Sequence, residues 1–248
     1  TMPTGSKSSR KYTYVWVSAI ILVFGAFSVY EITKRLKEGT VVKNDRMAGS
    51  AYEAPLTYIT SNGTKRKVPA FELLNQDSVL VSNVDYEGKV YVVDFFFTTC
   101  PTICPIMTSN LTGIQKMFAD NDDFGIVSFT INPRYDTPEV LKQYAERYGI
   151  EDNDWNLLTG DQQETYALAR EGFYILADEN PDVPGGFEHS GMFALIDKNG
   201  YIRSRVDKFG NPIIYYRGTV TEKQGVNDEG EVQQITILKE DIQRLLTE

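Results

Sequence analysis

The stretch VVDFFFTTCPTICPIM, residues 92–107, decides the fold because it joins an unbroken hydrophobic run to a pair of cysteines. From Val90 to Phe97 the chain is apolar at both odd and even positions, which predicts a central strand buried on both faces. Beyond the cysteines, hydrophobic residues recur at spacings of three and four, as on the buried face of a helix: Cys104, Met107, Leu111, Ile114 and Phe118. The only two cysteines of the 248-residue chain therefore lie between a buried strand and a helix.

The following segments continue this alternation of strands and helices. Residues 125–131 form a second hydrophobic run, typical of a buried strand. The segment 137–149 has Thr137 as a helix N-cap and Pro138 at the first helical position, and Gly149 ends it. This order predicts an α/β sandwich with a mixed sheet. A cysteine pair at the end of the first central strand favours a thioredoxin-like arrangement, flanked by helices.

The remaining elements give weaker signals, and no internal repeat is visible. In chain order we expect a hairpin within 56–69, a helix over 162–171, a short strand at 173–176, a loop at 177–190, an antiparallel hairpin at 191–206, an exposed loop at 221–234, and a strand running into a helix at 235–246.

The N-terminal part has a different pattern. Tyr12 to Tyr30 contains no charged residue, has aromatic residues at both ends and would be roughly 28 Å long as a helix. Basic residues lie on both sides of it. We therefore expect a cytoplasmic basic tail over 1–11, one transmembrane anchor over 12–30, a polar linker over 31–50 and a thioredoxin-like domain over 51–248, which contains both cysteines. We expect a single-pass protein with its domain outside the cytoplasm. The sequence leaves the bacterial and the mitochondrial inner membrane open, and the short tail before the anchor favours the bacterial one, with the domain on the periplasmic side.

The charge of the chain excludes one class of partner. Its net charge is −9 although the first 38 residues are rich in lysine and arginine, so the body is strongly acidic. An acidic body repels the phosphates of nucleic acids, and we expect no nucleic-acid partner. The same charge suits metal cations or a basic protein, and it also contributes to solubility.

The cysteine pair can carry two kinds of chemistry. Cys100 follows the strand and Cys104 begins the helix, with Pro101 suited to a first helical turn. A helix N-terminus stabilises thiolate, the form that binds metals and attacks disulfides. The two sulfurs can therefore chelate one ion or close into a disulfide. Because Cys104 continues the apolar stripe, we expect it to be the more buried thiol.

A third ligand is available in His189, the one histidine, which we place in a loop before a hairpin strand. In a thioredoxin-like fold this loop approaches the end of the sheet that holds the cysteines. Two thiolates and an imidazole favour a soft ion of low coordination number, so copper fits better than calcium or magnesium. Zinc would also bind, but it prefers a fourth ligand. The nearby sulfurs of Met107 and Met192 are better explained by core packing.

The chain resembles the Sco/SenC family of membrane-anchored copper-delivery proteins, from about residue 66 to its end. Four segments carry the resemblance: TTCPTICP (98–105), INPRYDTPEVLKQYAERYG (131–149), EHSGMFALIDKNG (188–200) and LKEDIQRLL (238–246). The resemblance implies a thioredoxin-like fold that binds copper, as Cu(I) and in a second state Cu(II), through Cys100, Cys104 and His189. It further implies delivery of copper to, or thiol reduction at, the dinuclear copper centre of cytochrome c oxidase subunit II or a related respiratory complex.

Three features depart from the family pattern. Thr102 stands where many relatives have an acidic residue, and Asn132-Pro133 stands where many have Asp-Pro. The segment 221–234 is longer than usual. None of these removes a ligand, so the departures concern the partner and the redox tuning rather than copper binding.

Three functions remain open on the sequence alone. The first is a copper metallochaperone, which needs both cysteines and His189. The second is a thiol–disulfide oxidoreductase that reduces the acceptor's cysteines, for which His189 is dispensable. The third is a resident accessory subunit of a respiratory complex, for which the acidic surface and the segment 221–234 would serve as docking features.

Overall fold

The computed structural model describes residues 9–37, 56–151, 154–207 and 209–248. The chain divides into two units, Thr1–Arg46 and Met47–Glu248. Residues 1–8 of the expected basic tail and residues 38–50 of the expected linker lie outside the described residues.

The described element of the first unit is helix α1, Ser9–Lys37, so the helical conformation expected for residues 12–30 is confirmed. Within the described residues, however, no helix combines the length and the apolar character that crossing a membrane requires. The transmembrane anchor expected at 12–30 therefore has no support in the structure.

The described part of the second unit contains thirteen strands and four further α-helices. Its strands are β1 Thr57–Tyr58, β2 Thr60–Ser61, β3 Thr64–Lys65, β4 Glu72–Leu74, β5 Leu80–Ser82, β6 Val90–Phe96, β7 Phe124–Thr130, β8 Trp155–Leu158, β9 Ala177–Glu179, β10 Phe187–His189, β11 Met192–Ile196, β12 Ile202–Ser204 and β13 Tyr216–Arg217. Its helices are α2 Cys104–Phe118, α3 Pro138–Tyr148, α4 Gln162–Ala167 and α5 Ile235–Thr247. A 3₁₀ turn spans Asn83–Tyr86, and a π-helical turn spans Leu168–Gly172.

The two hydrophobic runs found in the sequence form the centre of the main sheet. Every residue of β6 and β7 is buried, and the two strands pair in parallel. Strand β8 extends this parallel half beyond β7. Strands buried on both faces need apolar side chains at both odd and even positions, which explains why these runs do not alternate. Both predicted central strands are confirmed.

The other half of the sheet is antiparallel. Strand β11 pairs with β6 on one side and with β12 on the other, as the predicted hairpin at 191–206 requires. Strand β1 adds to the edge beside β12, and β13 pairs with the start of β11. In the described part of the chain the main sheet has seven strands, in the order β1-β12-β11-β6-β7-β8 with β13 beside β11. The predicted mixed sheet is thus confirmed.

Helices pack on this sheet through their apolar faces. Helix α2 buries the stripe that begins at Cys104, and Leu111 and Ile114 are completely buried. Helix α3 has the predicted ends, because the Thr137 side chain accepts a hydrogen bond from a backbone N–H and Gly149 is left-handed at φ 66°.

The predicted hairpin within 56–69 is also present, as β2 and β3.

Two strands expected from the sequence are absent from residues 173–176 and from the start of 235–246, and one expected helix changes its type along its length. Residues 173–176 form no strand, because Ile175 N–H donates to the carbonyl of Ala169 (2.9 Å) and the chain folds back on the π-helical turn. The helix expected over 162–171 is present, as α4 up to Ala167 and then as the π-helical turn Leu168–Gly172. The C-terminal segment is helical from Ile235, since its buried residues follow helical spacing from the start: Ile235, Leu238, Ile242 and Leu245.

The loop expected at 177–190 contains a short hairpin, formed by β9 and β10. This hairpin is the most important correction for the function, because His189 is its last residue. The segment 221–234, by contrast, contains no named strand or helix among its residues, all of which the structure describes, apart from an isolated bridge between Val226 and Val232.

Candidate metal centre

The two cysteines lie where β6 leads into α2. Cys100 is in the connecting turn, where its N–H donates to the carbonyl of Phe97 (3.2 Å), and Cys104 is the first residue of α2. The N-cap residue provides no side-chain cap, and the Cys104 N–H donates to the Cys100 sulfur at 3.5 Å. The pair is thus at a helix N-terminus, as expected. However, Cys100 lies outside the helix, and Pro105 rather than Pro101 occupies the first turn.

His189 is brought to the cysteines by the hairpin of β9 and β10. It ends β10 and pairs in register with Ala177 of β9. Its Nε2 lies 3.2 Å from the Sγ of Cys104, and its Nδ1 lies 3.3 Å from the carbonyl oxygen of Ser190. The buried ring of Phe97 meets the imidazole edge-on, with 5.9 Å between the ring centres. A strand pair therefore carries the imidazole, where the sequence had predicted a loop.

The structure brings together all three residues that the sequence singled out. The two sulfurs and a ring nitrogen of His189 lie within 4.8 Å of one another. Cys100 is 7% exposed, Cys104 0% and His189 8%, so the expected order of burial of the two thiols is confirmed. Both cysteines are free thiols in this structure.

The two thiols have opposite electrostatic environments. The pKa of Cys100 is lowered to about 3, mainly because the side chain of Cys104 hydrogen-bonds to its sulfur. Hydrogen bonds from His189 and from backbone N–H groups lower it further. Burial raises the pKa of Cys104 well above its ordinary value, and the negative charge on Cys100 adds to this effect. The hydroxyl of Thr102 also lies near the Cys100 sulfur, at 3.7 Å. Cys100 is therefore a thiolate at neutral pH, while Cys104 keeps its proton.

Asp94, which the sequence analysis did not single out, lies inside the sheet, close enough to the site for the charge of His189 to influence its pKa. It belongs to β6, is 1% exposed and accepts a hydrogen bond from the Ser128 hydroxyl at 2.5 Å. Burial raises the pKa of Asp94 to about 7, although the Ser128 hydrogen bond and the charge of His189 partly offset the rise. A lone carboxylate inside the run VYVVDFFF was the signal that could have identified it.

Asp136 holds the chain just before the cysteines. Its buried carboxylate accepts hydrogen bonds from the Thr98 N–H (3.1 Å) and from the hydroxyls of Thr98 and Thr130. Thr98 directly follows the hydrophobic run and lies two residues before Cys100. Asp136 therefore fixes the turn that contains Cys100, a role that the segment 131–149 did not reveal in the sequence.

The two methionines considered from the sequence lie in different environments, and only Met107 belongs to the buried core. Met107 is completely buried in the hydrophobic core, as predicted. Met192 begins β11 and is partly exposed. Among the described residues, the Cys100, Cys104 and His189 group is the one cluster of three or more His, Cys, Asp or Glu side chains arranged for a metal.

This donor set suits a soft ion of low coordination number. Thiolate and imidazole are ligands of copper and zinc, whereas calcium and magnesium require oxygen. The cluster supplies three donors and no carboxylate, which falls short of the four that structural zinc sites use. The same two sulfurs can also undergo dithiol–disulfide chemistry, for which a thiolate beside a protonated partner is suited.

Comparison with known sequences identifies relatives over most of the second unit. The SCO1/SenC family matches residues 59–222. A SCO1 protein homolog of Bacillus subtilis (strain 168) is 34% identical over 156 residues, which cover 62% of this chain and 76% of the relative.

Solved structures share the fold. A SCO1/SenC family lipoprotein from Bacillus anthracis has a TM-score of 0.60 and 30% identity, and the match covers 73% of this chain and 95% of the lipoprotein chain. BsSco, a member of the Sco family of cytochrome c oxidase assembly proteins in which a disulfide switch was identified, has a TM-score of 0.57 and 30% identity, with coverage of 73% and 94%. Bradyrhizobium japonicum ScoI, solved with copper bound, shares the fold at a TM-score of 0.51 and 20% identity, with coverage of 72% and 99%.

Proposed function

The chain belongs to the SCO1/SenC family, and from this membership we propose that it binds one copper ion and delivers it to a respiratory complex. The observation that carries the proposal is the convergence of three buried donor groups within 4.8 Å. Cys100 and Cys104 come from one element junction and His189 from a hairpin 85 residues further along. In the metal-free protein these groups hydrogen-bond to one another, and their donor atoms are close enough to bind one ion together.

Copper is the ion that the donor chemistry and the relatives both support. Two sulfurs and one nitrogen satisfy Cu(I), and an imidazole also allows the site to hold Cu(II). Bradyrhizobium japonicum ScoI has the same fold and was solved with copper bound. Copper is here the cargo of the protein rather than the cofactor of a reaction.

Each ligand is prepared for binding in a different way. Cys100 is already a thiolate, because its pKa is lowered to about 3. Cys104 must lose its proton when the ion binds, so binding releases a proton to solvent. In the metal-free site Nε2 of His189 hydrogen-bonds to the cysteine sulfurs. To bind the ion, His189 must carry its ring proton on Nδ1, which faces the carbonyl oxygen of Ser190, so that the lone pair of Nε2 becomes available.

The proposed acceptor is the dinuclear copper centre of cytochrome c oxidase subunit II. The support is that BsSco belongs to a family of cytochrome c oxidase assembly proteins. Transfer would proceed by exchange of Cys100 and Cys104 for the acceptor's own thiols. It is tested by mixing the copper-loaded chain with the purified subunit II domain and measuring which protein carries the metal after separation.

The proposed location is the periplasmic face of the cell inner membrane. The relative from Bacillus anthracis is a lipoprotein, which supports a membrane-associated domain. Fractionation of cells expressing the full chain tests this: recovery in the membrane pellet agrees with the proposal, and recovery in the soluble fraction contradicts it.

The copper site is tested by competition for Cu(I) between the reduced full chain and a chromophoric chelator. Cys100→Ser and Cys104→Ser should each weaken binding by roughly a hundredfold or more, and His189→Ala by roughly tenfold, because thiolates are the stronger Cu(I) ligands. Ser190→Ala is the matched control, since it alters the residue beside His189 but keeps the carbonyl that faces Nδ1. An affinity of His189→Ala equal to that of wild type would contradict the three-ligand site.

Thiol–disulfide exchange is a second candidate, favoured by the unequal thiols. A Cys100 thiolate beside a protonated Cys104 is the arrangement of an attacking and a resolving cysteine. Metal-free protein would then reduce a disulfide substrate, and His189→Ala would leave the rate unchanged. Absence of turnover by the metal-free chain would exclude this candidate.

A further inference from the structure

The position of the imidazole depends on a very short hairpin. Strands β9 and β10 pair over three residues each, with His189 opposite Ala177. Such a short pair has little stability of its own. Contacts with the rest of the domain must therefore hold it where Nε2 of His189 reaches the Cys104 sulfur.

One side of the hairpin is held by apolar packing. The ring of Phe187 lies 5.3 Å from that of Phe97, between ring centres. Gly185 at the tip has φ 90°, and a Cβ there would lie 2.9 Å from the Phe97 ring and 3.1 Å from Pro101. The tip thus closes directly onto the Cys100 turn. Apolar contacts of this kind are non-directional, so they hold the hairpin close without fixing its position along the sheet.

The other side is held by Arg170, which lies in the π-helical turn Leu168–Gly172. Its Nε donates to the carbonyl oxygen of Ala177 at 2.9 Å, and its Nη2 pairs with Asp178 at 2.9 Å. The guanidinium also lies 5.2 Å from the centre of the Tyr166 ring. A directional contact therefore reaches Ala177, the residue paired with His189. Short π-helical turns in helices occur frequently at functional sites.

We infer that Arg170 is a positioning residue for the metal site: by fixing the Ala177 carbonyl it sets the strand pair that aims the His189 imidazole at Cys104. The effect of Arg170 on copper binding follows only if the proposed function is right. Its structural content, the orientation of His189, is measurable without any metal.

The backbone hydrogen bond carries the larger share of this effect. The ion pair between Arg170 and Asp178 is about half exposed on both sides and contributes little. The hydrogen bond to the Ala177 carbonyl is partly buried. Loss of one such bond should lower the population of the correctly placed hairpin, and with it the Cu(I) affinity, by a factor of roughly three to ten. Arg134 offers a matched control, because it meets the same hairpin only through the exposed side chain of Glu179, at 3.7 Å.

The test compares Arg170→Gln, Arg170→Lys and Arg134→Gln in the full chain. Because the chain has one histidine, its imidazole signals in NMR spectra of the reduced, metal-free protein belong to His189 alone. Arg170→Gln should shift or broaden these signals and lower the order parameter of the His189 backbone. Arg170→Lys should restore them in part, and Arg134→Gln should leave them as in wild type.

The second readout is Cu(I) affinity in a double-mutant cycle with His189→Ala. Arg170→Gln should weaken binding roughly three- to tenfold when His189 is present and have no effect in the His189→Ala background. Equal losses in both backgrounds would overturn the inference, because Arg170 would then act on the whole domain. Unchanged imidazole signals in Arg170→Gln would overturn it as well.

The two readouts separate the inference from the proposed function. If His189→Ala by itself leaves the affinity unchanged, the three-ligand site is wrong, while the metal-free NMR result still decides whether Arg170 positions the ring. If His189→Ala weakens binding and Arg170→Gln does not, the proposed site stands and the role of Arg170 is overturned.

Discussion

Replacing Asp94 with asparagine isolates the cost of keeping a carboxyl group inside the sheet. The side chain is 1% exposed and accepts a hydrogen bond from the Ser128 hydroxyl, which the carbonyl oxygen of asparagine can also accept. The substitution therefore keeps the size and this hydrogen bond and removes only the ionisable group. Any difference in stability that changes with pH reports the ionisation of Asp94.

The magnitude follows from the shift in pKa. Burial raises the pKa of Asp94 to about 7, against about 3.9 in an unfolded chain. The folded state thus binds the proton more tightly, so this contribution to stability is fully present below about pH 4 and is lost as the pH rises to about 7. This rise in the pKa of Asp94 corresponds to about 4 kcal/mol of folding stability in total, of which about 2–3 kcal/mol is lost between about pH 5 and about pH 8.

The assay is urea unfolding of the reduced, metal-free full chain at these two pH values. The free energy of unfolding of Asp94→Asn relative to wild type should rise by about 2–3 kcal/mol from the lower to the higher pH. Asp120→Asn serves as the control, since Asp120 is exposed, and its difference from wild type should be constant. A constant difference for Asp94→Asn would refute the claim that burial keeps this carboxyl protonated near neutral pH.

Three further predictions concern the residues around the cysteines. Asp136→Ala should lower the free energy of unfolding by about 2–3 kcal/mol, measured in urea, because the Thr98 N–H loses its buried acceptor; a loss below about 0.5 kcal/mol would contradict this. The thiolate absorbance of Cys100 should already be present at about pH 5 and vanish in Cys100→Ser, whereas a first appearance near pH 8 would contradict the lowered pKa. Gly185→Ala should weaken Cu(I) binding several-fold, because its Cβ would press on Phe97; an unchanged affinity in the chelator competition would contradict this.

The elements that could be predicted are those with dense local signals. Strands β6 and β7 are continuous hydrophobic runs, and α3 has a proline start with a threonine cap and a glycine stop. These patterns depend on neighbours in sequence, so they can be read without the fold. The cysteine pair belongs to the same class, because its position between strand and helix is local.

The elements that could not be predicted depend on contacts between distant segments. The hairpin of β9 and β10 has three residues per strand among prolines and glycines, too few to show periodicity. Residues 173–176 have strand-forming side chains, but Ile175 bonds to Ala169 in the preceding turn. In both cases tertiary contacts outweigh the local preference of the sequence.

The buried carboxylates were missed for a related reason. Asp94 and Asp136 are tolerated in the interior only because hydroxyl groups from other segments reach them: Ser128 for the first, Thr98 and Thr130 for the second. A sequence shows the acid but not its partners. Arg170 was likewise invisible, since its significance comes from the Ala177 carbonyl that it binds.

X-ray absorption at the copper edge of the loaded, reduced full chain tests the central claim most directly. The account predicts two sulfur scatterers and one nitrogen scatterer on a single copper ion, with the nitrogen lost in His189→Ala and one sulfur lost in Cys100→Ser or Cys104→Ser. A spectrum that shows sulfur alone and stays the same in His189→Ala would contradict it.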